Sequence, residues 1–232
     1  GDHKLHCSAS VGISLFSDDD KDHLILMQQA DTAVHMAKRA GQGNHIFFSE
    51  AMAEKEKSKL SLNNQLRDAL RNNELVLHYQ PQYRVDNGSL SGVEALLRWQ
   101  KMDGTMIPPG DFIPIAEESG LIQQITRQVL QLVEKDMGSF LRRTPAFRLA
   151  VNLAASDLQS EQTPKLLGEM LQSIGPGCGQ FVVEATERAL LEETSALSVL
   201  DAIRALGIEL AIDDFGTGYS SLAYLKKFPI DN

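Results

Sequence analysis

ELAIDDFGTGYSSLAYL, residues Glu209 to Leu225, is the stretch around which the rest of the chain is organised. It opens as a short apolar run, Leu210-Ala211-Ile212, which reads as a buried strand. The run stops at two adjacent carboxylates, Asp213 and Asp214. Gly216-Thr217-Gly218 follows, a segment open to backbone angles that most residues avoid. Ser220 and Ser221 are candidate helix caps before a further apolar-periodic run, Ser221 to Lys227. A strand that delivers paired acids into a glycine-hinged loop is a candidate metal site. The competing reading is a turn whose aspartates cap local amides.

Two upstream strands share this grammar. Ala150-Val151-Asn152, Val182-Val183-Glu184 and Ala211-Ile212-Asp213 each set a polar residue after aliphatic ones. The polar positions are 32 and 29 residues apart, about one strand–helix repeat. Glu94 holds a comparable place in the earlier strand GVEALLRW. Helix patterns near Lys165 to Ile174 and Ala196 to Leu206 separate the strands. Apolar parallel strands with intervening helices imply a sheet covered on its outer face. Polar residues at successive strand C-termini are where a βα barrel places its active site.

Before these repeats, LVLHYQPQY from Leu75 to Tyr83 reads as a strand that turns at Asp86-Asn87-Gly88 into GVEALLRW. Helices are expected around Phe112 to Glu118 and over Ile122 to Leu141. Residues 49–73 are charged and helix-prone, with Leu62, Leu66 and Leu70 on a narrow stripe, and mark the expected domain boundary. Residues 5–16 fit a strand, followed by an acidic turn at Asp18-Asp19-Asp20. The next helix carries Leu26, Ala30, Ala33, Met36 and Ala37 at helical spacing, with Gly41 as its stop, and His45 to Phe48 adds a strand. The chain is thus expected to comprise residues 1–50, a connecting helix over 51–73, and residues 74–232.

A formal charge of −9 over 232 residues argues against binding a nucleic-acid polymer, which relies on basic surface. Cys7 and Cys178 lack zinc or disulfide-scaffold spacing, which favours a reducing, cytoplasmic setting. No apolar run approaches a membrane span, although a longer parent protein could carry an anchor. The six histidines show no metal-protease spacing, and Trp99 reads as core.

Glu94, Asn152, Glu184, Asp213 and Asp214 therefore form the candidate site. Carboxylates gathered on one rim repel unless a cation sits among them. As hard oxygen donors they suit Mg2+ or Mn2+, and adjacent acids can share two ions for in-line phosphoryl displacement. Arg98, four residues after Glu94, shares its strand face and suits a phosphate oxygen, with Gln80 as a second substrate contact. The alternative pairs Glu94 with Arg98, leaves Asn152 on backbone and makes Glu184 an ordinary satisfied group. Glu187 would either support the glycine loop or stand as a solvated charge.

YQP at Tyr79 to Pro81, EALLRW, FIPIAEESGLI, VNLA, VEATE and DDFGTGYSSLAYLKKFPID resemble the successive motifs of bacterial EAL domains. The resemblance covers residues 74–232. It implies a metal-dependent phosphodiesterase that opens cyclic di-GMP to linear pGpG on a modified (β/α)8, TIM-like barrel with one antiparallel strand. It places Glu94, Asn152, Glu184, Asp213 and Asp214 on the metal ligands of two Mg2+ or Mn2+ ions. Glu94, Asp213 and Asp214 become the catalytic set, Gln80 and Arg98 the ligand contacts, and Glu187 the glutamate that steadies a loop. Ala154 departs from a usual serine, with little effect expected. Residues 5–48 resemble the C-terminal part of a GGDEF domain, an α/β fold.

The resemblance further implies a homodimer formed through the EAL domain and sensor domains upstream in a longer parent. Five of eight barrel strands are accounted for, so the expectation is an α/β barrel truncated after its fifth strand and inactive by itself. The rival readings are a catalytically silent cyclic di-GMP receptor and a regulatory domain that binds no nucleotide. Retained metal-ligand motifs disfavour the silent receptor.

Overall fold

The structure, a computed structural model, describes residues 8–16, 22–39, 41, 43–175, 181–187, 189 and 196–214. Cys7, Cys178, the Asp18–Asp20 turn, the Gly216–Gly218 loop, the Ser220 and Ser221 caps and the Ser221 to Lys227 helix lie outside the described residues. The chain divides into two compact units, Gly1–Leu62 and Asn63–Asn232. Among the described residues no helix is long and apolar enough to cross a membrane.

In the first unit, β1 (Val11–Ile13) and β2 (His45–Phe47) pair in parallel through the crossover helix α1 (His23–Arg39). Among the described residues of the expected strand 5–16, those paired with β2 are Val11–Ile13. Ala33 and Ala37 are fully buried, which their small side chains permit at a close helix–strand contact. Gly12 makes that contact possible: a Cβ there would meet the Ala30 carbonyl oxygen at 2.2 Å and the Val34 nitrogen at 2.3 Å. The helix backbone thus rests directly on the strand. α2 (Glu50–Asn72) spans the division between the units, with Leu66 and Ala69 buried.

The second unit is built on a mixed sheet. β3 (Leu75–Tyr83) pairs antiparallel with β4 (Leu90–Gln100). The Asn87 side-chain carbonyl accepts from the Ser89 amide at 2.9 Å, replacing a backbone partner inside the turn. From β4 the sheet continues in parallel through β6 (Arg148–Leu153), β7 (Phe181–Thr186) and β8 (Glu209–Asp213). A two-residue strand, β5 (Met106–Ile107), pairs with β4; so short a run carries no periodicity and was not expected. The helices are α3 (Pro109–Glu118), α4 (Ile122–Arg143), α5 (Gln162–Ile174) and α6 (Ala196–Ala205).

Successive side chains of a strand leave on opposite faces. Val93, Ala95, Leu149, Val151, Leu153, Val183, Ala185 and Leu210 share one parity and join the core with Val133, Leu167, Met170, Leu200 and Ile203 of the helices. Complete burial of one such aliphatic side chain contributes roughly 1.5–3 kcal/mol. Trp99 is wholly buried as expected, set edge-to-face with Phe112 at 5.6 Å between centroids, and its indole N–H donates to Glu74 at 3.0 Å. The helix layer therefore takes one face of the sheet and leaves the other parity for chemistry.

Candidate functional site

That other parity carries Glu94, Asn152, Glu184 and Asp213. They stand on one face, but not at one level as the sequence reading had them. Glu94 lies opposite Ala150, two residues before Asn152. Asn152 lies opposite Glu184, and Glu184 opposite Ala211, two residues before Asp213. Strands that slant across a curving parallel sheet produce such steps between neighbours. The polar set runs diagonally toward the C-terminal ends of the strands.

The Asn152 amide nitrogen donates to Glu94 Oε1 at 2.7 Å. This replaces the alternative pairing of Glu94 with Arg98, whose guanidinium donates instead to the carbonyl of Leu97 at 2.8 Å. Gln80 is exposed and lies directly opposite Glu94 in the β3–β4 ladder, which puts both on the same face. Burial pushes the Glu184 carboxyl up to about 7, and Glu94 and Asp213 add to that shift. A hydrogen bond with Glu94 acts in the same direction, while the Arg148 cation pulls the other way. Arg148 pairs with Glu209 across β7, both on the face of the acidic set. Gly92 leaves room for that strand: a Cβ there would meet the Arg148 carbonyl oxygen at 2.6 Å.

Asp213 ends β8, and its Oδ1 accepts the Asp214 amide at 2.9 Å. Asp214 has φ of 55°, the left-handed region that aspartate tolerates better than most residues. In a continuing strand the two acids would face opposite ways; the bend at Asp214 ends that alternation. Glu187 is 2% exposed, which rules out the solvated-charge alternative. Among the described residues, no three His, Cys, Asp or Glu side chains are drawn close enough to hold a metal as they stand.

A cavity of about 660 Å³ lies between the helix-packed face of the sheet and α3 and α4, lined by Ala95, Leu97, Val151 and Leu153 with Pro109, Ile113 and Asp157, and it reaches Arg98 and Asn152. The sequence reading missed its inner wall, which comes from α3 and α4. It also missed Asp157, a lone acid in a turn that gives no periodic signal, and the Arg148–Glu209 pair, which joins residues 61 apart.

A family model described as EAL domain matches residues 63–232. The bifunctional diguanylate cyclase/cyclic di-GMP phosphodiesterase MucR of Pseudomonas aeruginosa is 38% identical over 98% of this chain and 33% of its own length. The cyclic di-GMP phosphodiesterase PdeR of Escherichia coli is 39% identical over 98% of this chain and 34% of its own. The chain thus spans about a third of the length of these curated relatives. Among solved structures, the PaMucR phosphodiesterase in complex with c-di-GMP has a TM-score of 0.68 at 38% identity, covering 74% of this chain and 70% of that one.

Proposed function

The chain belongs to the EAL domain family, and on that premise we propose that the protein carrying it hydrolyses cyclic di-GMP to linear pGpG. The observation that carries this reading is the acidic diagonal, in which burial and the neighbouring Glu94 and Asp213 carboxylates drive Glu184 toward its protonated form. Acids so placed are eased by a proton shared between Glu184 and Glu94, or by a divalent cation in its place. The donors are all oxygens, a set that fits Mg2+ or Mn2+.

Glu94, Asn152, Glu184, Asp213 and Asp214 would hold two such ions. When bound, these ions would supply positive charge to the phosphodiester and lower the pKa of a water molecule. Glu94, Asp213 and Asp214 form the catalytic set. The Asn152 amide holds Glu94 in one rotamer by its hydrogen bond. Gln80 and Arg98 contact the nucleotide; both share the face of Glu94 in the β3–β4 ladder. Glu187, from a buried position, supports the glycine loop that follows β8.

Residues 1–50 read as the C-terminal part of a GGDEF domain, joined by a helix over 51–73 to an EAL domain from 74. The alignment of MucR, named as both cyclase and phosphodiesterase, over nearly the whole chain supports this. Its barrel would follow the EAL pattern of one antiparallel strand, as at β3, followed by parallel ones. A homodimer through the EAL domain and sensory domains upstream complete the reading. The test is turnover of cyclic di-GMP by the full protein with Mg2+ or Mn2+, with and without chelator. Product pGpG that disappears on chelation is expected; undiminished turnover in chelator would sink the proposed metal chemistry.

A further inference from the structure

Asp157 is an acid that this mechanism does not use. It lies in the turn between β6 and α5, five residues beyond Asn152, and is 1% exposed. Its carboxylate gathers donors from three directions. Oδ1 accepts from Gln123 Nε2 at 2.8 Å and from the Thr126 hydroxyl at 3.0 Å. Oδ2 accepts from the same hydroxyl at 2.9 Å and from the Ala154 amide at 3.1 Å. The backbone joins in: the Asp157 amide donates to Ala154 O at 3.0 Å, and its carbonyl accepts from the buried Thr163 hydroxyl at 2.8 Å. The side chain thereby ties the end of β6 to the first turns of α4, and the Asp157 carbonyl ties the same turn to the start of α5.

These attachments converge where position matters. Asn152, Ala154, Ala155 and Asp157 line the same cavity as Arg98 and Ile113. Leu153 packs into the core on one side of Asn152, but beyond Ala154 the chain leaves the sheet. From there the Asp157 carboxylate joins the turn to α4 by hydrogen bonds, beside Leu158, which is buried in the core. Buried charge is costly to keep unless its donors are met, so a carboxylate retained here marks a place where geometry is specified.

Resting on the functional reading above, we infer that Asp157 is a positioning residue: its carboxylate clamps the turn after β6 to α4, and so holds Asn152 in the arrangement the nucleotide meets. It touches neither substrate nor metal in this role.

The test compares Asp157→Ala, Asp157→Asn and Thr126→Val in the full protein with Leu167→Ala, a core variant that is destabilised without touching the clamp. Two readouts are taken well below the melt: amide hydrogen exchange and kcat/KM for cyclic di-GMP. Loss of a charge-assisted buried hydrogen bond should speed exchange over residues 153–158, and lower kcat/KM, by about tenfold or more in Asp157→Ala. Asp157→Asn, which keeps one acceptor oxygen, should fall between it and wild type. Leu167→Ala should leave both readouts close to wild type. Unchanged exchange in the turn, or an Asp157→Ala profile that matches Leu167→Ala, would overturn the inference. If Asp157→Ala does not fold, Asp157→Asn and Thr126→Val carry the same comparison. Wild-type protein without hydrolytic activity would count against the functional reading alone, and the exchange data would still decide the clamp.

Discussion

Asn152 and Glu94, 58 residues apart in the chain, meet in a 2.7 Å hydrogen bond that joins β6 to β4 on the face away from the helices. The bond spans strands whose residues step by two along the sheet. An amide therefore steadies an acid on the neighbouring strand, beside a second acid, Glu184, that shares its face.

Glu94→Ala should abolish turnover of cyclic di-GMP, by about a hundredfold or more, while the fold persists. Glu94 stands outside the core, and its removal relieves repulsion as it removes a ligand. Stability in metal-free buffer should change by less than about 1 kcal/mol. The Glu184 carboxyl should titrate lower than in wild type, since Glu94 helps to raise it. Kinetics, thermal melts and carboxyl-detected NMR titration check the three parts. Near-normal activity, or a collapse in stability that accounts for the lost activity, would return Glu94 to a structural role.

Mn2+ should bind more tightly as pH rises from about 6 to 8, because a carboxyl must lose its proton to ligate. Burial and the neighbouring carboxylates hold Glu184 at about 7, so it is a member of the proposed ligand set whose charge changes over this range. Calorimetry in buffers of different ionisation enthalpy should detect proton release on binding below pH 7, and less of it in Glu184→Gln. Binding that ignores pH over this range would remove Glu184 from the ligand set.

Asp157 should make the protein less stable at neutral pH than in mild acid. Burial holds its carboxyl at about 6 against an ordinary 3.8, with Glu117 adding to the shift and the Thr126 and Ala154 donors opposing it. The folded state then binds more protons than the unfolded state between these values. Its contribution is therefore fully present below the unfolded value and is lost as pH rises through about 6. The loss amounts to about 2–3 kcal/mol at most. Chemical denaturation at pH 4 and pH 7 should show a smaller difference in Asp157→Asn than in wild type. Equal differences would contradict the assignment.

Gly92→Ala should cost roughly 1–3 kcal/mol, the range for overpacking a site that cannot relax. The added carbon would press on the Arg148 backbone, which cannot swing aside as a side chain could. Because Gly92 pairs with Arg148 in the ladder that sets Glu94 beside Asn152, turnover should fall as well. Melting and kinetics measured together check this. A variant as stable as wild type would show that the strands can part at little cost.

Much of this was legible from residue order. The β3 strand runs over Leu75–Tyr83, the bounds its alternation predicts, and the long helix begins at Ile122 as expected. Aliphatic pairs followed by a polar residue mark β6, β7 and β8 because one parity must enter the core and the other is free for chemistry. The stagger of the acids was hidden, since register between parallel strands is set by their slant and not by any local sequence. The Asp157 clamp was hidden because its partners on α4 lie 31 and 34 residues away. The Arg148–Glu209 pair needs the whole of β7 in place between its ends.

The diagonal of acids also bears on how this sheet can change over time. One residue gained or lost within β6 or β7 would turn Asn152 or Glu184 into the apolar layer under the helices, and bring an aliphatic side chain out among the carboxylates. Two residues gained or lost would keep each group on its own side and only lengthen or shorten a step of the diagonal. Descendants of this sequence should therefore accept length changes inside these strands in even numbers, and leave odd ones to the loops.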